Sequence, residues 1–126
     1  MAKILIVDDS AMSRRIVRSI LEAAGHQVVE AADGMVALEK YFLEKPDLVL
    51  LDLIMKGMFG MEVLKKIRLM DDKARIIIAT ADIQASTRAI TQSEGAVAFV
   101  TKPFSGDEIL KTVNSVLEDR PDASNR

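Results

Sequence analysis

The stretch Leu48-Val49-Leu50-Leu51-Asp52 decides the fold of this 126-residue chain. Four aliphatic residues without polar alternation predict a strand that is buried on both faces, in the middle of a parallel sheet covered by helices. The apolar sequence resumes with Leu53-Ile54-Met55, so Asp52 is a lone charge between two hydrophobic stretches. A charge there is costly unless it meets a cation, a hydrogen-bond donor or water at the edge of the sheet. Taken alone, Asp52 could equally be a strand-terminal aspartate that starts a turn.

Four other short apolar runs predict further strands, and a helical pattern follows each of the five strands. Strong runs lie at 4–7 and 76–79, and weaker runs lie at 28–29 and 98–100. Strands that alternate with helices, without internal repeats or low-complexity segments, predict an α/β fold. We expect a doubly wound five-stranded parallel sheet, (βα)5, with right-handed crossovers and helices on both faces.

Helical spacing predicts which residues of each helix face the sheet, and the fourth helix has the weakest apolar face. Three arginines of the first helix lie off its apolar stripe and are expected in solvent: Arg14, Arg15 and Arg18. The residues expected to be buried are Met12, Ile16, Val17, Ile20, Leu21 and Ala24 in the first helix, Ala37, Leu38, Tyr41 and Phe42 in the second, Val63, Leu64, Ile67 and Met70 in the third, Ala85, Ala89 and Ile90 in the fourth, and Ile109, Val113, Val116 and Leu117 in the fifth.

Composition and charge exclude several classes of protein. Seventeen basic and nineteen acidic residues leave a net charge of −2, which gives no reason to expect binding to nucleic acid or to an acidic membrane surface. The absence of cysteine excludes disulfides and cysteine-ligated metals, and the single His26 excludes a histidine-rich metal site. No apolar stretch approaches membrane-spanning length, and no signal peptide precedes the first strand. We therefore expect one soluble domain in the cytoplasm.

Four of the five predicted strands end on a polar group: Asp8-Asp9, Asp52, Thr80 and Lys102. Each has an ordinary explanation, since Asp9 could cap a helix, Thr80 could be an edge residue and Lys102 could be a surface lysine. Functional groups of doubly wound sheets gather at the carboxyl ends of the strands. We therefore expect these side chains to lie within reach of one another.

The chemistry of this set points to a phosphorylated aspartate. Carboxylates that share a pocket repel one another, and oxygen ligands without histidine or cysteine favour Mg²⁺ or a similar ion such as Mn²⁺. A carboxylate can also act as a nucleophile toward phosphorus. Asp52 is the candidate nucleophile, Asp8 and Asp9 are the candidate metal ligands, and Lys102 and Thr80 are the candidate groups that stabilise and detect the phosphoryl oxygens.

With these residues in place, the chain resembles a receiver domain of the two-component response regulators, and its length is similar to that of the stand-alone chemotaxis regulators. The resemblance covers residues 3–118, within a predicted domain 1–118 that is followed by a polar tail at 119–126. The motifs that carry it are Ile4-Leu5-Ile6-Val7-Asp8-Asp9-Ser10, Leu50-Leu51-Asp52, Gly60-Met61-Glu62, Ala79-Thr80-Ala81 and Lys102-Pro103-Phe104. The resemblance implies a flavodoxin-like fold with strand order 2-1-3-4-5, and Mg²⁺-dependent phosphoryl transfer from a sensor histidine kinase onto Asp52.

The resemblance also assigns roles by position. Asp9 would contact Mg²⁺ directly, Asp8 directly or through water, Asp52 through one oxygen, and Ile54 through its backbone carbonyl. Thr80 would move toward the phosphoryl group on activation, with Phe99 as the switch aromatic that rotates inward. The Lys102-Pro103 peptide bond would be cis, which suits an ordered turn that aims Lys102 at the site.

Several positions depart from the family pattern or tune it. After Asp52 the family usually has Met-Pro and then Asp-Gly, whereas this chain has Met55-Lys56 and Phe59-Gly60. The missing proline frees a φ angle in this loop, Lys56 adds a cation near the acidic pocket, and Phe59 either exposes an aromatic ring or packs it under the loop. Ile54 could obstruct the water that hydrolyses the phosphoryl group and Asp82 could orient it, so these two residues would tune its lifetime in opposite directions.

We expect the signal to leave through protein contacts, because this length has no room for an output domain. Phosphorylation of Asp52 would shift a two-state equilibrium and remodel the face formed by the fourth helix, the fifth strand and the fifth helix. The candidate residues on that face are Phe99, Arg88, Gln92 and Lys111. The expected partners are a sensor histidine kinase and a downstream protein such as a motor-switch protein, a phosphatase or a phosphotransfer protein.

Three functions remain open from the sequence. The first is a monomeric phospho-switch in chemotaxis or motility, which is not an enzyme beyond its own phosphorylation and dephosphorylation. The second is a phosphorelay intermediate that passes the group to a histidine phosphotransfer protein. The third is the receiver part of a longer DNA-binding regulator, with 119–126 as the linker. A phosphatase is disfavoured because no cap domain selects a substrate, and an unphosphorylated scaffold is disfavoured because all five pocket residues are present.

Overall fold

A five-stranded parallel sheet with strand order β2-β1-β3-β4-β5 forms the centre of the protein. The structure, a computed structural model, describes residues 2–55, 59–81 and 84–118. The elements in chain order are β1 (Lys3–Val7), α1 (Ala11–Ala23), β2 (Gln27–Ala31), α2 (Gly34–Glu44), β3 (Leu48–Leu51), α3 (Gly60–Met70), β4 (Ile76–Thr80), α4 (Ala85–Ser93), β5 (Ala96–Thr101) and α5 (Gly106–Glu118). The predicted fold class and strand order are confirmed.

The central strands β1 and β3 are apolar at residues 4–7 and 48–51 because both of their faces are covered. Leu5 and Leu51 point into a core formed with α2 and α3. Their neighbours Ile4 and Leu50 point to the opposite side, into a core formed with α1 and α5. Successive side chains of a strand point to opposite faces, so a run without polar alternation is the sequence of a strand with helices on both sides.

The apolar face predicted for α1 is partly wrong. Val17 and Leu21 are buried, and Ile20 is half-buried against the core, but Met12 is 72% exposed and Ile16 is 45% exposed. A helix that packs on a sheet buries a narrow stripe, and here that stripe runs through Val17 and Leu21. Phe42 and Met70, at the ends of α2 and α3, are likewise exposed.

Two of the three apolar residues predicted to anchor α4 are exposed, so that part of the prediction is wrong. Ala89 is exposed and Ile90 is 52% exposed, whereas Thr91 is completely buried. The Thr91 hydroxyl donates to the carbonyls of Thr87 and Arg88, so the preceding turn of the helix satisfies it. The third predicted position, Ala85, lies outside the side chains that are described.

Parallel strands bring their carboxyl ends to one edge of the sheet, and β1 and β3 are neighbours in the middle of that edge. Val7 is in register with Leu51, the last residue of β3. The chain leaves β1 for β2 on one side and returns through β3 on the other, so this edge is the point at which the strand order reverses.

Within the described ranges, no helix is long and apolar enough to cross a membrane. The predicted tail at 119–126 lies outside those ranges.

Candidate functional site: an acidic pocket at the carboxyl edge of the sheet

Three carboxylates meet where β1 and β3 end. Asp8 and Asp9 directly follow β1, and Asp52 directly follows β3. The Asp52 amide donates to the carbonyl of Val7 at 2.9 Å, which extends the pairing of the two strands by one residue. One carboxylate oxygen from each of the three aspartates lies within 4.8 Å of the others. Asp8 and Asp52 are buried, whereas Asp9 is exposed, so the cluster opens to solvent on the Asp9 side.

Lys102 joins two of these carboxylates. Its Nζ lies 2.8 Å from Asp52 Oδ2 and 2.8 Å from Asp8 Oδ2. The Lys102 amide donates to the carbonyl of Thr80, and the Lys102-Pro103 peptide bond is cis, as predicted. Burial of the ammonium acts to lower the pKa of Lys102, but its hydrogen bonds to Asp52 and Asp8 outweigh that effect and raise the pKa above the ordinary value. Lys102 is therefore a cation in this pocket at neutral pH.

The second oxygen of each buried carboxylate accepts a backbone amide. Asp52 Oδ1 accepts from the amide of Ile54 at 3.0 Å, and Asp8 Oδ1 accepts from the amide of Ser10 at 2.9 Å. Each carboxylate is thus fixed in orientation by one amide and one ammonium. Among the described residues, the two buried carboxylates of Asp8 and Asp52 share one ammonium, so this pair keeps an excess of negative charge that favours a further cation.

The donor set fits Mg²⁺. It offers only carboxylate oxygens, which hard divalent cations prefer, and its exposed side leaves room for water and for oxygens of a bound group. Mn²⁺ would accept the same ligands. Ile54 has an exposed side chain, and its amide is engaged by Asp52. The role of its carbonyl as a further ligand stays a prediction.

Thr80 is buried at the end of β4, the strand next to β3. In the described part of the chain, its side-chain oxygen is the one buried side-chain polar atom that lacks a hydrogen bond. The residue is 1% exposed, and its Oγ1 has no hydrogen-bond partner among the described residues. A buried hydroxyl normally finds a partner, because leaving one unpaired costs about 1–3 kcal/mol. Such a hydroxyl is available to form a hydrogen bond with a group that binds in the pocket.

Phe99 lies on β5, one strand away from Thr80, and is half-buried. Its ring packs against the core on the α2 and α3 side of the sheet. The guanidinium of Arg88, on α4, lies 4.7 Å from the centroid of the ring. This cation–π contact ties α4 to the aromatic residue that the sequence predicts to be the switch.

The sequence motifs did not reveal why Gly60 is needed. A Cβ on Gly60 would lie 2.3 Å from the carbonyl oxygen of Asp52 and 2.5 Å from Cα of Leu53. The Gly60 amide donates to the carbonyl of Leu53 at 3.0 Å. The first residue of α3 thus packs directly on the backbone of Asp52, and any side chain there would displace it. The preceding Phe59 is 68% exposed, so its ring lies in solvent and is not packed under the loop.

Arg14 is a second residue whose place the sequence did not reveal. It was expected in solvent, but its side chain is 17% exposed, and its Nη1 donates to the carbonyl of Asp8 at 2.7 Å. Its Nε pairs with Glu30 on β2 at 2.9 Å, and Arg18 pairs with the same carboxylate. The long side chain of an arginine can reach from a helix to the strand ends. Helical spacing shows which face of the helix a residue lies on, but it does not show how far its side chain reaches. Lys56 and Asp82, predicted to tune the site, lie outside the described residues.

Comparison with known proteins agrees with this geometry. Residues 4–114 match the family model described as the response regulator receiver domain. Chemotaxis protein CheY of Bacillus subtilis is 42% identical over 116 residues, which cover 91% of this chain and 97% of that protein. Sporulation initiation phosphotransferase F of the same organism is 39% identical over 115 residues, 91% of this chain and 93% of that protein.

A solved structure with a similar fold is a chain of the CheX-CheY-BeF3-Mg+2 complex from Borrelia burgdorferi. It is 32% identical to this chain and superposes with a TM-score of 0.88, covering 90% of this chain and 87% of that one.

Proposed function

Since this chain belongs to the response regulator receiver domain family, we propose that it accepts a phosphoryl group on Asp52 from the phosphohistidine of a sensor kinase. The observation that carries the proposal is the position of Lys102, whose ammonium lies 2.8 Å from both Asp52 and Asp8 at the strand edge. A buried nucleophilic carboxylate, a fixed cation and two further carboxylates are the parts that phosphoryl transfer to aspartate needs.

In the proposed step, one oxygen of Asp52 attacks phosphorus, an O–P bond forms and the N–P bond of the phosphohistidine breaks. The histidine nitrogen leaves with the electron pair and takes up a proton. The Ile54 amide fixes the attacking carboxylate, and the Lys102 ammonium neutralises charge on the phosphoryl oxygens. Mg²⁺, held by Asp8, Asp9 and Asp52, would supply further neutralisation of those oxygens.

The proposed switch couples this step to a surface. The Thr80 hydroxyl has no partner among the described residues, and a phosphoryl oxygen on Asp52 would provide one. Movement of Thr80 would leave space that Phe99 can enter, and Phe99 carries Arg88 and α4 with it through the ring contact. Phosphorylation would thereby change the face of α4, β5 and α5 that also bears Gln92 and Lys111.

We propose that a downstream protein recognises this face, as in a chemotaxis or motility switch. The protein would act in the cytoplasm as a monomer, and its only reactions would be its own phosphorylation and dephosphorylation. The similarity to a chemotaxis CheY over most of both chains supports this assignment. The similarity to a sporulation phosphotransferase supports the second candidate, a relay that passes the group to a histidine of another protein.

The experiment that tests phosphoryl acceptance is incubation with acetyl phosphate, followed by intact mass measurement. We expect a mass increase of one phosphoryl group that requires Mg²⁺ and is absent from Asp52→Asn. A mass increase that survives this substitution, or no increase with Mg²⁺ present, would contradict the proposal.

Two further measurements test the switch and the output. Beryllofluoride with Mg²⁺ should shift the amide resonances of Thr80 and Phe99 in the wild type and leave them unchanged in Asp52→Asn. Unchanged resonances in the wild type would contradict the switch. Pull-down with the phosphorylated protein, comparing a motor-switch protein with a histidine phosphotransfer protein, separates the two candidate outputs.

A further inference from the structure

A cavity of about 480 Å³ lies at the amino end of the sheet, away from Asp52. It is bounded by the residues that precede β4, by the beginning of β5 and by the last turns of α5. Four cationic side chains line it: Arg68, Lys73, Arg75 and Lys111. Its volume is within the range of pockets that bind small molecules.

The four cations of this cavity are not engaged in ion pairs in the part of the chain that the structure describes. The neighbouring Asp71 lies beside the cavity, where its carboxylate accepts from the Tyr41 hydroxyl and the Lys73 amide and forms no ion pair with the four cations. Four cations therefore converge on one cavity in a chain whose net charge is −2.

Both guanidinium groups are held in place by backbone carbonyls. Arg68 Nη1 donates to the carbonyl of Ala74 at 3.0 Å, and Arg75 Nη1 donates to the carbonyl of Val116 at 3.3 Å. A guanidinium carries five N–H donors, so each of these groups keeps further donors after making one such bond. Arginines that are already oriented lose less conformational entropy when they bind an anion.

The rest of the lining suits an organic molecule that carries the anion. Val97 is 50% exposed and lies where the register between β4 and β5 shifts, since Ile76 pairs with Ala96 and Ile77 pairs with Ala98. Such irregularities in a ladder re-aim side chains next to sites. Two hydroxyls, those of Thr112 and Ser115, complete the polar wall of the cavity.

We propose that this cavity binds a small organic phosphate of nucleotide size, at a site separate from Asp52. The phosphate would be held by Arg68, Arg75, Lys73 and Lys111, and the organic part would cover the apolar wall formed by Val97 and Val116. Arginine forks match the oxygens of phosphates and carboxylates alike, and the two lysines, which bind phosphates as point charges, favour a phosphate.

The test uses the full chain without divalent metal, in the presence of EDTA, so that Asp52 and its neighbours do not take part. The probe is ADP, and the readout is the amide resonances of Ala74, Val97 and Ser115. We expect saturable shifts with a dissociation constant of about 1 mM or tighter, which weakens as salt is added. Inorganic pyrophosphate should bind more weakly than ADP, and citrate should bind more weakly still.

Two pairs of substitutions of equal charge change make the test specific. Lys73→Gln with Lys111→Gln removes two cations from the cavity and should weaken ADP binding at least about tenfold, as expected for the loss of charged hydrogen bonds. Lys40→Gln with Lys66→Gln removes two cations elsewhere and should leave binding unchanged. Absence of saturation up to about 10 mM ADP, equal weakening by both pairs, or equal binding of citrate would overturn the proposal.

Discussion

Lys102 Nζ lies 2.8 Å from Asp52 Oδ2, although fifty residues of chain separate the two. The sheet makes this contact, because β5 and β3 both end at the carboxyl edge and the cis bond at Pro103 turns the chain there. The same ammonium lies 2.8 Å from Asp8. A single cation thus compensates two buried carboxylates.

Removing that cation should destabilise the fold. Lys102→Gln leaves Asp8 and Asp52 facing each other without compensation, and we expect a loss of about 1–3 kcal/mol in unfolding free energy at neutral pH without metal. Because the folded-state pKa of Lys102 is raised, this difference is fully present below the ordinary lysine pKa and disappears as the pH rises through the folded value. Urea unfolding in EDTA measures it.

The control for Lys102→Gln is Lys66→Gln, an exposed lysine on α3. Mg²⁺ should restore part of the stability lost in Lys102→Gln, since a bound cation compensates the same carboxylates. Equal stability of Lys102→Gln and Lys66→Gln would contradict the role given to the ammonium.

Gly60→Ala should damage both stability and phosphoryl acceptance. The new Cβ would lie 2.3 Å from the Asp52 carbonyl oxygen, so α3 or the strand end must move. We expect a cost of about 1–3 kcal/mol, as in other overpacked sites, together with slower phosphorylation by acetyl phosphate. Gly106→Ala is the matched control, because its Cβ would meet only the Ile20 side chain at 3.8 Å. Equal behaviour of the two variants would contradict this contact.

Tyr41 gives a spectroscopic prediction because it is the chain's single tyrosine and there is no tryptophan. Burial, and then the 2.8 Å hydrogen bond from its hydroxyl to Asp71, raise the pKa of Tyr41 well above its ordinary value. Its contribution to stability is therefore present below the ordinary tyrosine pKa and is lost as the pH rises through the folded value. Tyrosinate absorbance should appear only as the chain unfolds, and at lower pH in Asp71→Asn. Ionisation of the folded wild type near the ordinary pKa would contradict the burial of this ring.

Glu30 predicts how the fold responds to acid. Burial acts to raise the pKa of Glu30, but its hydrogen bonds with Arg18 and Arg14 outweigh burial and lower it. A lowered folded pKa contributes stability above the ordinary glutamate pKa, and that contribution is lost as the pH falls through the folded value. Glu30→Gln should thus cost about 1 kcal/mol at neutral pH and converge with the wild type in acid. A difference that is the same at both pH values would contradict the ion-pair explanation.

The position of the site could be predicted from sequence, because it depends on where apolar runs end. The run at 48–51 and the run at 4–7 are each followed by aspartate, and parallel pairing alone brings those residues together. The same rule predicts that Thr80, at the end of β4, lies at this edge of the sheet. The cis peptide bond before Pro103 turns the chain so that Lys102 points toward the site. Periodicity within strands and the rule of carboxyl edges carry most of this information.

The contacts that support the site could not be predicted from the sequence. They depend on how closely two segments of backbone approach each other and on how far a long side chain reaches. Helical spacing placed Met12 inside and Arg14 in solvent, whereas the structure exposes Met12 and extends Arg14 to the carbonyl of Asp8. Helical spacing of apolar residues likewise does not predict the burial of Thr91 in α4. Its hydroxyl can be buried because it donates to two carbonyls of its own helix. The close contact of Gly60 with Asp52 is a property of packed backbones, which no pattern of residue types expresses.

Mapping the phosphorylated residue by mass spectrometry shows whether Asp52 is the acceptor. After incubation with acetyl phosphate and Mg²⁺, borohydride reduces an aspartyl phosphate to homoserine, and tandem mass spectrometry of the peptides locates that residue. We expect homoserine at position 52 in the wild type, none when EDTA replaces Mg²⁺, and none in Asp52→Asn. Homoserine at position 8 or 9, or its absence from position 52 in a wild-type sample with Mg²⁺, would show that Asp52 is not the phosphoacceptor.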